Sequence, residues 1–330
     1  MSHRVVVTAS RLARPAIDRL EAFGARLEFL DDALTEGMLL AVAGAGRLDA
    51  ILMRNNPPIT RRVIAAAEGL RVIAKHGAGY DSVDVAAATE AGVPVLVAAG
   101  ANAYSVAEHT IALILALGRD VVRLDGRTKA GLWDKWHYSG RELRGRTLGL
   151  VGFGAIARHV ARLARALGLE VQAFSRRLEA IDPALARPVA TLDELYRTSD
   201  IASLHCPLGP ETRGMINAAT LARFKPGALL INTARGGLVD EAAVTAALHG
   251  GRLAGAALET FTAEPPAADN PLFQAPNLIV TPHIGAHTAE AETQMGLIAA
   301  ENIIAVLSGA PLDPANLVNP GVLDRPHPSR

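Results

Sequence analysis

The chain has little cysteine, and its charges favour neither sign. One of its 330 residues, Cys206, is a cysteine, which excludes an intramolecular disulfide and a cysteine-based metal site. Lysine and arginine total 33, as do aspartate and glutamate, so the formal net charge is zero. Because no positive excess draws the whole chain to nucleic acid or to an anionic membrane, we expect neither as a partner.

Long apolar runs are also lacking. No run reaches the roughly eighteen apolar residues of a membrane-spanning helix. The first residues have neither the apolar core nor the small-residue cleavage site of a signal peptide, so we expect a cytoplasmic protein. Half of the residues are hydrophobic, which excludes wholesale disorder. At roughly 150 residues per domain, the length predicts two domains.

Short β-branched runs alternate with alanine- and leucine-rich stretches, which predicts α/β architecture with mostly parallel sheets. Helices are predicted at 15–23, 61–68, 104–117 and 288–307. Five strands suit a flavodoxin-like layer in the first hundred residues, and six suit a complete doubly wound dinucleotide fold after residue 145. The predicted strands are 4–8, 26–30, 50–53, 72–74 and 93–95, then 147–151, 170–174, 201–204, 228–232, 255–258 and 278–280.

A glycine-rich loop follows the strand 147–151 and opens a helix. In the run 152–157 (GFGAIA), Gly152 allows a tight turn, and Gly154 lets the backbone approach a pyrophosphate. The helix N-terminus then faces the anion with partial positive charge. Strand, loop, helix and second strand occur in the order that a dinucleotide site requires.

The end of the second strand sets the choice of cofactor. NAD-specific sites usually place an acidic residue there to bind the ribose 2′-hydroxyl. This chain has Ser175, Arg176 and Arg177 instead, and guanidinium groups can pair with a 2′-phosphate. We therefore expect NADP to be favoured over NAD.

Three chemically useful residues follow three predicted strands. Arg235, Glu264 and His283 come after the strands 228–232, 255–258 and 278–280. Ligands of open α/β sheets bind at the carboxyl ends of the strands, so these side chains form a candidate site. Arginine grips a carboxylate, histidine exchanges a proton near neutral pH, and a carboxylate beside the imidazole orients it.

Several runs together resemble the D-isomer-specific 2-hydroxyacid dehydrogenase family. They are 75–81 (KHGAGYD), 102–109 (NAYSVAEH), 203–208 (SLHCPL), 232–237 (NTARGG) and 281–285 (TPHIG). The resemblance implies a Rossmann nucleotide domain, 100–285, inserted into a flavodoxin-like substrate domain, 1–99 with 286–330. It also implies a cleft between the domains and a homodimer.

The resemblance implies roles for individual residues. Arg235 binds and polarises a 2-oxo acid, His283 is the acid/base, and Glu264 pairs with His283. Gly77, Ala78 and Gly79 hold the substrate carboxylate through their backbone. The positions expected around NAD(P) are Gly152, Gly154, Ala155, Ile156, Ser175, Arg176, Arg177, His205, Cys206, Pro207, Thr212, Thr233, Ala234, Arg235, Glu259, His283 and Gly285.

Some residues depart from the family or allow two interpretations. Glu259 stands where the family usually has aspartate, at a position that meets the nicotinamide carboxamide. Arg54 is either a surface charge or a contact to the distal group of the substrate. His109 is expected to be structural or to lie at a subunit contact. His287 lacks a third ligand nearby, so we expect no metal.

The resemblance predicts an NAD(P)-dependent oxidoreductase acting on a short 2-hydroxy acid or 2-oxo acid. Glyoxylate and hydroxypyruvate are the leading substrates, with 3-phosphoglycerate as the alternative. A hypothesis of another class is a nucleotide-sensing corepressor that keeps the same three residues and acts through protein partners.

Overall fold

The chain divides into two compact units, which the computed structural model describes over residues 2–31, 33–54 and 56–324. Unit 1 joins the stretch from the N-terminus to Asn102 with the stretch that begins at His287. Unit 2 is Ala103–Ala286. The expected domain limits lie close to these divisions, and the assignment of substrate binding to unit 1 stays a prediction.

Unit 1 contains a parallel five-stranded sheet with the strand order β2-β1-β3-β4-β5. This is the doubly wound order of flavodoxin-like proteins, as predicted. The strands are β1 (His3–Val7), β2 (Ala25–Phe29), β3 (Ala50–Met53), β4 (Val72–Lys75) and β5 (Val95–Leu96). The helices are α1 (Arg14–Ala22), α2 (Glu36–Gly44), α3 (Arg61–Ala66), α4 (Val85–Glu90) and, from the C-terminal stretch, α11 (Ala289–Ser308).

Unit 2 contains a parallel seven-stranded sheet in the order β12-β11-β10-β9-β6-β7-β8. Its strands are β6 (Thr147–Val151), β7 (Glu170–Phe174), β8 (Arg187–Pro188), β9 (Ile201–Leu204), β10 (Ala228–Asn232), β11 (Leu253–Leu258) and β12 (Leu278–Val280). Its helices are α5 (Ala103–Gly118), α6 (Val121–Lys129), α7 (Ala155–Ala166), α8 (Leu192–Thr198), α9 (Ala218–Leu221) and α10 (Glu241–His249). Short 3₁₀ turns occur at Leu178–Ala180, Gly236–Leu238, Pro271–Gln274 and, in unit 1, Pro320–Val322.

The sheet of unit 2 differs from the prediction by one strand. The strands β6 to β11 follow the Rossmann order, and β12 adds a seventh strand beside β11. The strand that the sequence does not predict is β8. β8 has two residues and lies at the sheet edge, where proline is tolerated because its missing N–H faces no partner. The side chain of Arg187 donates to Gln172 of β7, so β8 depends on its neighbour rather than on a local pattern.

Helices cover both faces of each sheet, and inner strands such as β3 and β9 are buried at every position. In unit 1, β3 and β4 are buried at every position, and α11 packs on α1 and β4. In unit 2, α5 and α7 pack together, and both contribute buried side chains to the core on one face of the sheet. The polar residues that follow the strands are therefore the ones available for chemistry at the sheet edge.

Candidate active site

The nucleotide loop joins β6 to α7, at the point where the strand order reverses. Gly152 has a φ of 95°, and a Cβ there would lie 2.7 Å from the carbonyl oxygen of His205, so the turn requires glycine. Among the described residues no side chain caps α7, whose N-cap is Gly154, and its first turn has no acidic residue. The first N–H groups of α7, from Ala155 and Ile156 onward, therefore suit a phosphate.

The end of β7 carries the residues expected to select the cofactor. The hydroxyl oxygen of Ser175 accepts from the N–H of Arg177 at 3.3 Å. Arg176 lies 3.5 Å from Glu211, and both side chains are about four-fifths exposed, at 80% and 79%. A carboxylate therefore stands beside Arg176, a feature that the local sequence around residue 175 does not reveal.

The loop after β9 carries four of the expected cofactor contacts. Nε2 of His205 lies 2.8 Å from the hydroxyl of Ser203, and burial lowers the pKa of His205 to about 4. Burial raises the pKa of the Cys206 thiol, which suits an apolar wall rather than a nucleophile. The hydroxyl of Thr212 donates to the carbonyl of Pro207 at 2.8 Å and so holds the loop in shape.

A tight turn after β10 presents Arg235. The side chain of Asn232 donates to the carbonyl of Arg235 at 2.9 Å and accepts from the N–H of Ala234 at 3.0 Å. Thr233 is buried, and its hydroxyl lies 2.9 Å from that of Thr110 on α5. Asn232 thus supports the turn that carries Arg235, a role that its place in the run 232–237 does not reveal.

His283 and Glu264 form a hydrogen-bonded pair, with Nδ1 of the imidazole 2.7 Å from Oε2 of the carboxylate. An ionised carboxylate only accepts, so Nδ1 carries the proton and Nε2 is left for proton exchange. The two side chains are 41% and 37% exposed. His283 has a φ of 55°, a left-handed conformation that costs a residue with a Cβ roughly 1–2 kcal/mol.

Glu264 is anchored on both oxygens. Burial favours the neutral acid, but hydrogen bonds from His283 and from the N–H of Phe261, together with the positive charge of Arg235, bring the pKa of Glu264 below its ordinary value. Glu264 is therefore ionised at neutral pH and fixes the imidazole of His283. The predicted residues Glu264 and His283 are in contact, and the charge of Arg235 acts on Glu264.

Glu259 is buried directly after β11, with 2% of its side chain exposed. One carboxylate oxygen accepts from the N–H of Gly285 at 2.5 Å. The other accepts from the hydroxyl of Thr281 and lies 3.0 Å from Nε2 of His109. His109 therefore has a defined partner inside unit 2.

The predicted substrate contacts of unit 1 follow β3 and β4. A guanidinium nitrogen of Arg54 lies 3.2 Å from a carboxylate oxygen of Glu292 on α11. Gly77 is buried, Ala78 is exposed, and Gly79 lies between these extremes. Burial and the charge of Arg54 lower the pKa of His76 to about 4, so His76 is neutral at pH 7.

Neither a metal site nor a membrane-spanning helix is found in the described residues, 2–31, 33–54 and 56–324. In these ranges no three histidine, cysteine, aspartate or glutamate side chains group as metal ligands do, and His287 lies 3.6 Å from Glu292. In the same ranges the helices are too short or too polar to cross a bilayer.

A family model matches more than half of the chain. Residues 111–285 match the model described as D-isomer specific 2-hydroxyacid dehydrogenase, NAD binding domain. The matched segment contains the nucleotide loop, Arg235, Glu264 and His283.

Individual relatives agree with that match. D-3-phosphoglycerate dehydrogenase of Archaeoglobus fulgidus is 37% identical over 319 residues, 95% of this chain and 59% of that protein. The solved structure of the TT0316 protein from Thermus thermophilus is 38% identical, with a TM-score of 0.87 over 96% of this chain and 99% of that one. A glyoxylate reductase from Paecilomyes thermophila is 31% identical, with a TM-score of 0.85 over 96% and 98% of the two chains.

The chain spans about three-fifths of the length of the curated phosphoglycerate dehydrogenase that it matches. The solved structures, by contrast, are matched over almost their whole length. Together with the matched nucleotide domain, these likenesses show that the chain belongs to the D-isomer specific 2-hydroxyacid dehydrogenase family.

Proposed function

We propose that the protein is an NAD(P)-dependent dehydrogenase that interconverts a 2-hydroxy acid and a 2-oxo acid. The observation that carries the proposal is the His283–Glu264 pair at 2.7 Å, in the same unit as the nucleotide loop. The loop fits a dinucleotide for two reasons. Among the described residues no side chain caps the N-terminus of α7, and Gly152 lets the backbone approach the phosphates closely. When bound, the nicotinamide cofactor supplies or accepts the hydride.

The chain's own residues would then handle charge and protons. Arg235 stabilises the negative charge that develops on the substrate oxygen during reduction. His283 gives a proton from Nε2 to that oxygen, and takes it back during oxidation. Glu264 holds the imidazole in place through its hydrogen bond to Nδ1. Gly77, Ala78, Gly79 and Arg54 stay predicted substrate contacts.

The substrate that we propose is 3-phosphoglycerate. Glyoxylate and hydroxypyruvate are the leading substrates expected from the sequence, and 3-phosphoglycerate is the alternative expected there. Its support is that the curated relative reported above is named a D-3-phosphoglycerate dehydrogenase, whereas the glyoxylate reductase is a structural neighbour of lower sequence identity. Arg54 is the predicted contact of the distal phosphate, which would compete with Glu292 for the guanidinium.

A substrate panel tests the proposal. The protein is assayed with 3-phosphoglycerate, glyoxylate and hydroxypyruvate, each with NAD or NADP in the appropriate redox state. We expect the highest kcat/KM with 3-phosphoglycerate. A higher value with glyoxylate would restore the first expectation, and no turnover of any 2-hydroxy or 2-oxo acid would contradict the proposed activity.

The proposed cofactor preference is for NADP. The double variant Ser175→Asp/Arg176→Ala adds a carboxylate beside the ribose and removes one guanidinium. Losing a charge-assisted contact costs roughly 1.5–3 kcal/mol, so we expect the ratio of kcat/KM for NADPH over NADH to fall about tenfold to a hundredfold. A matched control is Arg14→Ala, which removes an exposed arginine of unit 1. Wild-type protein that already prefers NADH would contradict the proposal.

The proposed assembly is a homodimer. Trp133 and Trp136 follow α6 with 69% and 76% of their surface exposed, and large exposed aromatic side chains are typical of interfaces. Light scattering on the purified protein measures the mass directly, and a monomer at micromolar concentration would contradict this assignment.

A further inference from the structure

Glu259 makes three hydrogen bonds to the segment 281–285, which contains His283. Its side chain accepts from the hydroxyl of Thr281 and from the N–H of Gly285, at the two ends of the segment 281–285. Its backbone carbonyl accepts from the N–H of His283, in the middle of that segment, at 3.0 Å. One residue thus holds the segment at three points.

The same residue is also tied to two other parts of unit 2. Its N–H donates to the carbonyl of Asn232, the residue whose side chain shapes the Arg235 turn. Its carboxylate lies 3.0 Å from Nε2 of His109 on α5, and that nitrogen also lies 3.2 Å from the hydroxyl of Thr281. Glu259, His109 and Thr281 therefore form a closed three-way contact beneath the segment.

Burial makes this contact obligatory. A carboxylate with 2% of its surface exposed has little access to water, so protein donors must satisfy it. His283 has a left-handed backbone, a conformation that persists where the surroundings fix it. The hydrogen bonds to Glu259 supply that fixation because they hold residues on both sides of His283.

We propose that Glu259 is a positioning residue for His283, and that His109 and Thr281 complete the clamp that holds the segment 281–285 on α5. The inference rests on the proposed function in so far as His283 is the acid/base. It gives His109, 150 residues away from Glu259 in sequence, a defined part in the reaction.

The proposal is tested by removing the donors and leaving Glu259 in place. His109→Phe keeps a ring of similar size and loses the hydrogen bond, and Thr281→Val keeps the side-chain shape and loses the hydroxyl. Thr281→Ser restores the hydroxyl, and His249→Phe is the matched control, because His249 bonds to a carbonyl of its own helix. Each variant is measured for kcat at saturating cofactor, for cofactor Kd, and for hydrogen exchange of residues 281–285.

We expect His109→Phe and Thr281→Val to lower kcat about tenfold to a hundredfold, since a misplacement of about 1 Å at a reacting group has effects of this size. The cofactor Kd should stay within about twofold, because the phosphate-binding loop is elsewhere. Exchange of the segment amides should accelerate in both variants. Thr281→Ser and His249→Phe should behave as wild type in all three measurements.

Two results would overturn the proposal. The first is a kcat and a segment exchange rate that match wild type in both variants. The second is a weaker cofactor affinity with unchanged segment exchange, which would make Glu259 a cofactor contact instead. If wild-type protein turns over no 2-hydroxy or 2-oxo acid, the proposed function fails, and hydrogen exchange alone still decides whether the clamp exists.

Discussion

Unit 2 contains two histidine–carboxylate pairs that are alike in chemistry and different in burial. In one pair, His283 and Glu264 are 2.7 Å apart, with side chains 41% and 37% exposed. In the other, His109 and Glu259 are 3.0 Å apart, with side chains 21% and 2% exposed. The carboxylates follow the same strand, β11, and His283 follows β12, which pairs with β11 in register.

We propose that this difference in burial gives chemically alike side chains different roles. An imidazole that is partly exposed can exchange its proton with a substrate, and an exposed carboxylate beside it can tune that exchange. A carboxylate enclosed by protein donors is costly to disturb and therefore holds structure in place. The first pair is suited to the reaction, and the second is suited to positioning the first.

Replacing each histidine in turn should separate the two proposed roles. His283→Ala removes the proposed acid/base, and general acid–base catalysis contributes typically about 10²–10⁴-fold. We expect a loss of kcat in that range, larger than the loss in His109→Phe, with cofactor Kd nearly unchanged in both. Steady-state kinetics and cofactor titration check this. Equal losses in the two variants would mean that burial does not separate the two roles.

A second variant separates the support of the exposed pair from its chemistry. A Cβ on Gly236 would overlap the backbone of Phe261, whose N–H donates to Glu264. Gly236→Ala must push the Arg235 turn and the Glu264 loop apart, and overpacking of this kind costs about 1–3 kcal/mol. We expect a lower melting temperature and a lower kcat, both measured on the purified variant.

The control for that variant is the next glycine. A Cβ on Gly237 meets the side chain of Leu208 at 2.9 Å, and a flexible side chain can turn aside. Gly237→Ala should therefore stay closer to wild type. If both variants melt and turn over alike, the close approach of Gly236 to Phe261 has no part in holding the exposed pair.

A third histidine, His205, has no carboxylate partner among the hydrogen bonds and ion pairs of the described residues, where its Nε2 lies 2.8 Å from the hydroxyl of Ser203. Burial lowers the pKa of His205 from 6.5 to about 4. Between these values the unfolded chain binds more protons than the folded one, so the free energy of unfolding falls as the pH falls from about 6.5 to about 4. One such group contributes about 1.4 kcal/mol per pH unit in this window.

The measurement is urea unfolding at several pH values. His205→Asn should remove about one proton from the pH dependence of the free energy of unfolding in that window, while His249→Asn, at an exposed position, should leave it unchanged. Equal pH dependence in His205→Asn and wild type would show that His205 is not held neutral by burial.

Much of the fold could be predicted because the relevant signals are local. Five strands of unit 2 begin and end where the sequence predicts: β6, β7, β9, β10 and β12. Apolar, β-branched runs predict the strands, and the turn residues that flank them predict their ends. β8 was missed because two residues, Arg187 and Pro188, carry no such signal and form a strand through their pairing with β7. The right-handed crossovers of parallel strands then limit the sheet orders that are possible.

The site divides in the same way. The contact of Glu264 with His283 could be predicted because the carboxyl ends of parallel strands lie at one edge of a sheet, and the roles of Arg235, Glu264 and His283 stay predictions. The contact of His109 with Glu259 spans 150 residues of sequence, and that of Arg54 with Glu292 spans 238. Such pairs depend on how helices pack on the sheet, which the spacing of single residues does not encode.

The pH dependence of kcat/KM in both directions tests whether Glu264 and His283 work as a pair. In the proposed mechanism reduction needs a protonated His283 and oxidation needs a neutral one, so the two profiles should slope in opposite directions with pH. Glu264→Gln removes the carboxylate that accepts from Nδ1 of His283 while keeping a side chain of similar size. We expect kcat/KM in both directions to fall in Glu264→Gln, because the imidazole loses the carboxylate that fixes its Nδ1. Profiles that coincide in wild type and variant would contradict the assignment of Glu264 and His283 as the working pair.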